Sequence, residues 1–355
     1  MLVNIIFMFI ICLLLIIITR RLSFIFDLVD KPNQRKLHTH HVPLVGGIAI
    51  YFSVLLLNFL TEGQFSHMNA YLVSSGLLIA VGILDDRFDL PVLPRIGVQA
   101  VAALIIMVDG VYLRSLGLLW FGDELTLGFS GYIVTLIAVG ASINIFNMVD
   151  GIDGLLAGLC SLSLGGLAVC FYLASQPEMM AFCLCLIAAL VPFMLLNLGF
   201  PFGVRQKIFM GDAGSTFLGF TVIWLVMLSC QGERTALAPA NALWLLALPL
   251  IDMVAVAAGR IQNRQSPLRP DRTHFHHLLM AYGFSAHQTL FLMLALAFLY
   301  CAVGVGMELL RVNPMLSLLI FVGIFALHCY VRKRLKRSAH KYGIPGYAQH
   351  GQQLE

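Results

Sequence analysis

Residues 131–175, GYIVTLIAVGASINIFNMVDGIDGLLAGLCSLSLGGLAVCFYLAS, hold two apolar runs hinged at a polar centre. The runs, 131–146 and 155–175, are long enough to cross the hydrocarbon core of a bilayer as helices. In the centre, Asn144, Asn147 and Asp150 are spaced i, i+3, i+6, which puts two amides and a carboxylate on one helical stripe. Gly151 and Gly154 then break the helix, so Asp153 can turn back toward the same place. Backbone amides at such glycines can approach a phosphate or a base closely. Polar groups inside an apolar span must find partners, and acids at a membrane edge mark a site by default. The hinge therefore reads as helices in a membrane with chemistry at one end.

The rest of the chain repeats the pattern. It is 59% hydrophobic and 11% charged, with a mean hydropathy of +0.89. Soluble domains carry about 25% charged residues. Further apolar runs fall at 3–19, 44–60, 70–84, 96–110, 179–197, 214–230, 241–258, 287–307 and 314–331, which makes eleven expected spans. The predicted fold is an all-α polytopic integral membrane protein, one domain over 1–355. The first run resembles a signal peptide but lacks an A-x-A site and is followed by Arg20 and Arg21, so it is expected to be a retained span. With the N-terminus outside, nineteen of the 22 Lys and Arg residues fall inside, leaving only Arg114, Arg234 and Arg311 outside. This predicts a periplasmic N-terminus and a cytoplasmic C-terminus. The cytoplasmic segments are then 20–43, 85–95, 147–154, 199–213 and 259–286, with a basic tail over 332–355. The outer segment 111–130 is expected to form a short hairpin. The eight cysteines are scattered without a CxxC and read as packing residues. No inverted repeat of the transporter kind is visible.

Two more acidic motifs share the predicted inner face. DDRFD (85–89) brings Asp85, Asp86 and Asp89 together, and clustered carboxylates repel unless a cation neutralises them. The plainer reading is a solvated helix end. GDAGS (211–215) opens the eighth span, where Asp212 is also compatible with a helix N-cap. The loop 259–277, GRIQNRQSPLRPDRTHFHH, carries Arg260, Arg264, Arg269, Arg272, His274, His276 and His277. Arg and His together suit a diphosphate. Zinc is disfavoured, with no Cys nearby and no HExxH motif. The first loop adds Lys31, Arg35, Lys36, His38, His40 and His41, then Gly46 and Gly47, which allow close helix packing. Asp252, inside the ninth span, is expected to support the loop arginines.

The motifs DDRFD, N-x-x-N-x-x-D-G-I-D-G-L, G-D-A-G-S and D-R-x-H-x-H-H, in this order, resemble those of the polyprenyl-phosphate N-acetylhexosamine-1-phosphate transferases, from about residue 27 to 277. The PNQRKLH…VPLVGG loop and the HxHH signature favour the bacterial N-acetylglucosamine branch over the peptidoglycan branch. Phe275 stands where that branch usually has isoleucine. The resemblance implies transfer of GlcNAc-1-phosphate from UDP-GlcNAc to undecaprenyl phosphate with release of UMP. It implies Mg²⁺ or Mn²⁺, and an active site on the cytoplasmic face of the bacterial inner membrane, at the first membrane step of a surface polysaccharide. It assigns Asp85, Asp86 and Asp150 to catalysis and Asp212 and Asn147 to the metal. Asp153, Gly151, Asn144 and Lys36 go to the nucleotide, and Arg264, Arg272, His274, His276 and His277 to the diphosphate and sugar. Nucleic acid is not an expected partner; a homodimer is the base-rate expectation.

UDP-GalNAc, UDP-QuiNAc, UDP-FucNAc and UDP-MurNAc-pentapeptide stay open as donors. Single displacement and a two-step route through an aspartyl intermediate both stay open. Two other classes share some features. An intramembrane prenyltransferase would more naturally carry two DDxxD motifs, and a cation-coupled transporter would hold its acids near the midplane.

Overall fold

The computed structural model describes residues 1–31, 41–60, 65–120, 123–201, 203–232, 235–262, 264 and 274–341. The chain divides into two compact units, Met1–Pro239 and Ala240–Glu355.

The first unit is built on eight helices: α1 (Leu2–Ile25), α2 (Gly46–Leu60), α3 (Met68–Phe88), α4 (Val92–Val108), α5 (Ser130–Val149), α6 (Leu155–Leu173), α7 (Pro177–Asn197) and α8 (Gly211–Cys230). Helix α8 is apolar on every side and almost wholly enclosed, with α2, α3, α5 and α6 packed around it. Tyr71 of α3 stacks on Trp224 of α8 at 4.4 Å, and its hydroxyl meets Thr221 Oγ1 at 2.8 Å. On the opposite flank Ser142 Oγ donates to the carbonyl of Gly219 at 2.8 Å, a contact that needs α5 and α8 in backbone proximity.

The expected hairpin is present as β3 (Ser115–Trp120) and β4 (Asp123–Thr126), after a minimal pair β1 (Val29–Asp30) and β2 (Val42–Pro43). Gln231, just beyond α8, docks it like a missing strand. Its Oε1 accepts from Arg114 N at 2.9 Å and its Nε2 donates to Ser115 O at 3.0 Å.

The second unit takes in α9 (Pro239–Leu245, whose first residue closes the first unit), α10 (Ala247–Gln262), α11 (Phe275–Ala281), α12 (Ala286–Leu309) and α13 (Pro314–Lys341). Gly304 of α12 lets Trp244 lie directly against the backbone, and the indole N–H donates to Ser317 Oγ at 3.0 Å.

All eleven apolar runs are helical, but they are not eleven equal spans. Among the described residues, eight helices are long and apolar enough to cross a membrane, and α9 with α10, bent by 86° at the break between them, is long and apolar enough only as a pair. Helices α2 and α4 have 15 and 17 residues. At about 1.5 Å per residue they fall short of a hydrocarbon core about 30 Å thick. The chain is a multi-pass membrane protein.

Candidate active site

The start of α8 is the anchor point. Phe209 N donates to Pro43 O at 2.8 Å, Val45 N and Gly46 N donate to Phe209 O, and Gly47 N donates to Met210 O at 3.2 Å. The VPLVGG segment is thereby laid along the chain entering GDAGS. A side chain at Gly47 would run into the backbone of Gly214, and one at Gly82 of α3 into that of Ala213. These glycines bring α2 and α3 into backbone contact with the first turn of α8.

Three acids and an amide converge there. Asn147 Nδ2, from α5, donates to Asp212 Oδ1 at 2.6 Å and to Ser215 Oγ at 2.9 Å. Asp86, from α3, accepts from Asp212 N at 2.7 Å through Oδ1 and from Ala213 N at 3.2 Å through Oδ2. The N-cap reading of Asp212 is thus corrected: it lies in the first turn, the N-cap position is Met210, and the acceptor is Asp86. Asp85 is buried, with Oδ2 2.9 Å from Arg95 Nη1 and Oδ1 accepting from Leu90 N at 2.9 Å. Its carboxyl is also within hydrogen-bonding reach of Asp212.

The hinge closes the site from the other side. Helix α5 ends at Val149, and Gly154 takes φ +80 before α6 begins. The amide of Gly154 donates to Asn197 Oδ1 at 2.6 Å, while Asn197 Nδ2 donates to Ile208 O at 2.9 Å. Asp153 lies just before Gly154, and Lys207 Nζ meets its carboxylate at 2.5 Å. Asp150 is exposed to solvent yet densely ringed by protein; that enclosure, with the charges of Asp212 and Asp153, pushes its carboxyl up to about 7. Asn144 departs from expectation. Its amide donates to Gln99 Oε1 at 3.0 Å and to Gly140 O at 2.7 Å, so it ties α5 to α4.

Arg95, Gln99, Asn197 and Lys207 escaped the sequence reading. Arg95 and Lys207 lay in segments expected on the inner face, where their charges counted only toward orientation. Asn197 was legible as a lone amide ending an apolar run.

A separate cluster lies in the second unit. His274 Nδ1 is 2.9 Å from Asp252 Oδ2, and Phe275 N donates to Asp252 Oδ1 at 3.1 Å. Arg332 Nη1 donates to Asp252 O at 3.3 Å and lies 3.5 Å from Oδ1. Asp252 was expected to support the loop arginines; among the described residues its ionic partners are His274, His328 and Arg332. Arg332 itself, counted by sequence with the basic tail, is buried. His276 is 1% exposed, and among the described residues neither ring nitrogen has a hydrogen-bond partner. Burial and the neighbouring His277 push it down to about 3, so it stays neutral. His277 is half-buried and Arg264 exposed. Lys36 and Arg272 lie outside the described residues.

Residues 68–230, which carry the whole acidic cluster, match the model of glycosyl transferase family 4. Over 338 residues the chain is 43% identical to the undecaprenyl-phosphate alpha-N-acetylglucosaminyl 1-phosphate transferase of Yersinia pestis, spanning 95% of this chain and 92% of that one. It is 41% identical over 338 residues to the Escherichia coli K12 protein of the same name, with the same coverage. To that of Haemophilus influenzae it is 41% identical over 319 residues, 89% of this chain and 90% of that one. The chain belongs to glycosyl transferase family 4.

For this family 4 protein, the fit to a divalent cation can be judged from the donors. Among the described residues, no three His, Cys, Asp or Glu side chains converge closely enough to hold a metal ion by themselves. Mg²⁺ does not require such a set, since it binds through one or two carboxylates plus substrate phosphates and keeps several waters. Asp85 and Asp212 stand within hydrogen-bonding reach, an arrangement of like charges that a cation would relieve. The donor set therefore fits a cation brought in with a phosphate substrate.

Proposed function

We propose that the chain transfers GlcNAc-1-phosphate from UDP-GlcNAc to undecaprenyl phosphate, releasing UMP, at the cytoplasmic face of a bacterial inner membrane. The observation that carries this is the convergence of Asp85, Asp86, Asn147 and Asp212 at the first turn of α8. Relatives bearing the name of this activity match nearly the full chain. The distribution of Lys and Arg supports the cytoplasmic face.

The lipid phosphate oxygen attacks the β-phosphorus of the donor. The bond from that phosphorus to the α–β bridging oxygen breaks, and UMP leaves with the bridging oxygen. Mg²⁺ or Mn²⁺, held by Asp212 with Asn147 alongside, would neutralise diphosphate oxygens and the charge developing on the leaving group. Asp212 holds its place because Asn147 fixes one oxygen. Both oxygens of Asp85 are engaged, by Arg95 and by the Leu90 amide. A carboxylate so tied is a poor nucleophile, which favours single displacement, with Asp85 and Arg95 placing charge around the acceptor phosphate. Asp150, Gly151 and Asp153 with Lys207 are proposed to meet the nucleotide. Arg264, Arg272, His274, His276 and His277 are proposed, from the family motif, for the diphosphate and sugar.

The test is UMP release by purified protein in detergent with undecaprenyl phosphate, Mg²⁺ and a panel of UDP-sugars, with and without EDTA. UMP from UDP-GlcNAc that disappears with EDTA supports the reading. Release only with another UDP-sugar moves the donor assignment, and no release from folded protein overturns it.

A further inference from the structure

The paired aspartates of DDRFD have different jobs. Helix α8 begins at Gly211 with φ +75, and the residue before it, Met210, has no side-chain acceptor to offer. The first N–H groups of a helix need acceptors from elsewhere, and inside a membrane protein water is a poor source. Asp86 supplies them from α3: one oxygen takes the N–H of Asp212 and the other that of Ala213. A carboxylate is also the charge that a helix N-terminus favours. The fit is tight, because a Cβ on Gly211 would strike the Asp86 carboxylate. Asp85, one residue earlier, points to Arg95 and Leu90 and makes no such contact.

We propose that Asp86 is a positioning residue that caps α8 and thereby fixes the backbone from which Asp212 projects. This rests on the role given to Asp212 under the proposed function. A borrowed cap matters here because ligand geometry tolerates displacements of only about 0.5 Å. The N–H that Asp86 holds belongs to Asp212 itself.

The experiment compares Asp86→Asn, Asp86→Ala and Gly211→Ala with Asp212→Asn in purified, detergent-solubilised full-length protein. Three readouts are taken: melting temperature in EDTA, Mn²⁺ affinity by electron paramagnetic resonance, and UMP release. Asp86→Asn keeps one acceptor, so turnover should stay within about tenfold of wild type, a cap being worth about 1 kcal/mol. Asp86→Ala loses both acceptors; the metal-free melting temperature should fall and Mn²⁺ should bind about tenfold more weakly. Gly211→Ala removes no carboxylate but displaces the cap, and should shift stability and Mn²⁺ affinity the same way. The proposal is overturned if Asp86→Asn loses Mn²⁺ binding and turnover as fully as Asp212→Asn with an unchanged melting temperature, which would make Asp86 a direct ligand. It is equally overturned if Gly211→Ala leaves Mn²⁺ affinity at the wild-type value. If the wild type releases no UMP from any UDP-sugar, the functional reading fails, while the melting and Mn²⁺ measurements still decide the cap.

Discussion

Asp212→Asn should move stability and activity in opposite directions. In the metal-free protein Asp212 is crowded by Asp85, with Asp86 bound to its own amide. Two like charges about 4 Å apart at an effective dielectric of about 20 cost about 4 kcal/mol. The bond from Asn147 and the pairing of Asp85 with Arg95 offset much of that, leaving about 1–2 kcal/mol to be gained by neutralising Asp212. In EDTA the variant should therefore melt about 1–3 °C above wild type, for a chain of this size. An asparagine can still accept from Asn147, so no buried donor is orphaned. Added Mg²⁺ should reverse the order. At about 100 times its dissociation constant, a ligand stabilises the protein that binds it by about 2.7 kcal/mol, and Asp212→Asn would forgo this. Turnover should fall by about 10²–10³, the cost of losing one preorganised electrostatic partner of the transition state. The assay is thermal unfolding in detergent across a Mg²⁺ series, run beside UMP release. A variant that melts below wild type in EDTA, or that gains as much from Mg²⁺, would refute the reasoning.

Arg332→Met removes a partner from buried Asp252, but His274 and the Phe275 amide remain; the loss should be about 2–3 kcal/mol, near the low end for breaking a buried pair. Thermal melts against Lys333→Met, an exposed neighbour, check this, and equal shifts would show that Arg332 is ordinary tail charge. The Lys207–Asp153 pair has side chains 21% and 38% exposed, so it contributes under about 1 kcal/mol to stability. Lys207→Met should leave the melting temperature in place and raise KM for the UDP-sugar, and an unchanged KM would remove Lys207 from the site. His276 is held at about 3 against about 6.5 when unfolded, so the unfolded chain binds the extra proton between those values. Its stabilising contribution is whole above about pH 6.5 and is lost as pH falls below it, by about 2 kcal/mol at pH 5. Melting series on wild type and His276→Gln should show that slope only in the former.

The helices were legible because their signal is composition summed over many residues; each apolar run became helical, although α1 and α13 run on past their expected ends to Ile25 and Lys341 and the run 241–258 became two helices. The break at Gly154 was legible for a different reason, since only a residue that accepts φ +80 ends α5 and starts α6 so abruptly. Length was less readable: 96–110 became the 17-residue α4, while 70–84, an equally short run, became the 21-residue α3. The bend between α9 and α10 was not readable, because Pro249 lies after the break and Leu246 carries no signal. At the site, Asn147 of the polar stripe meets Asp212 and Ser215, whereas Asn144 of the same stripe meets Gln99. The stripe argument says which face a side chain takes, and Gln99, about 45 residues earlier in the chain, decides what meets it there. Arg332 is the clearest miss. Composition made it one of a cluster of tail charges, whereas Asp252, at sequence separation 80, draws it into the core of its unit.

Both motif helices start on a borrowed acceptor. In the first unit Met210 precedes GDAGS without capping it, and Asp86 accepts from the first amides. In the second, His274 stands at the N-cap of α11 with no side-chain bond of that kind, and Asp252 of α10 accepts from Phe275 N. The same carboxylate then orients the His274 ring through Nδ1. In water either helix could have used solvent or a local Ser, Asp or Asn. In an apolar unit the acceptor must come from another segment, and a carboxylate on a neighbouring helix meets the amides and the dipole together. An acid placed at a membrane edge is costly whether it serves chemistry or order, so the cost alone does not assign it a role. What separates Asp212 from Asp86 is the direction of their bonds: Asp86 faces backbone N–H groups, while Asp212 faces an amide side chain and another carboxyl, partners that a cation and a phosphate can replace.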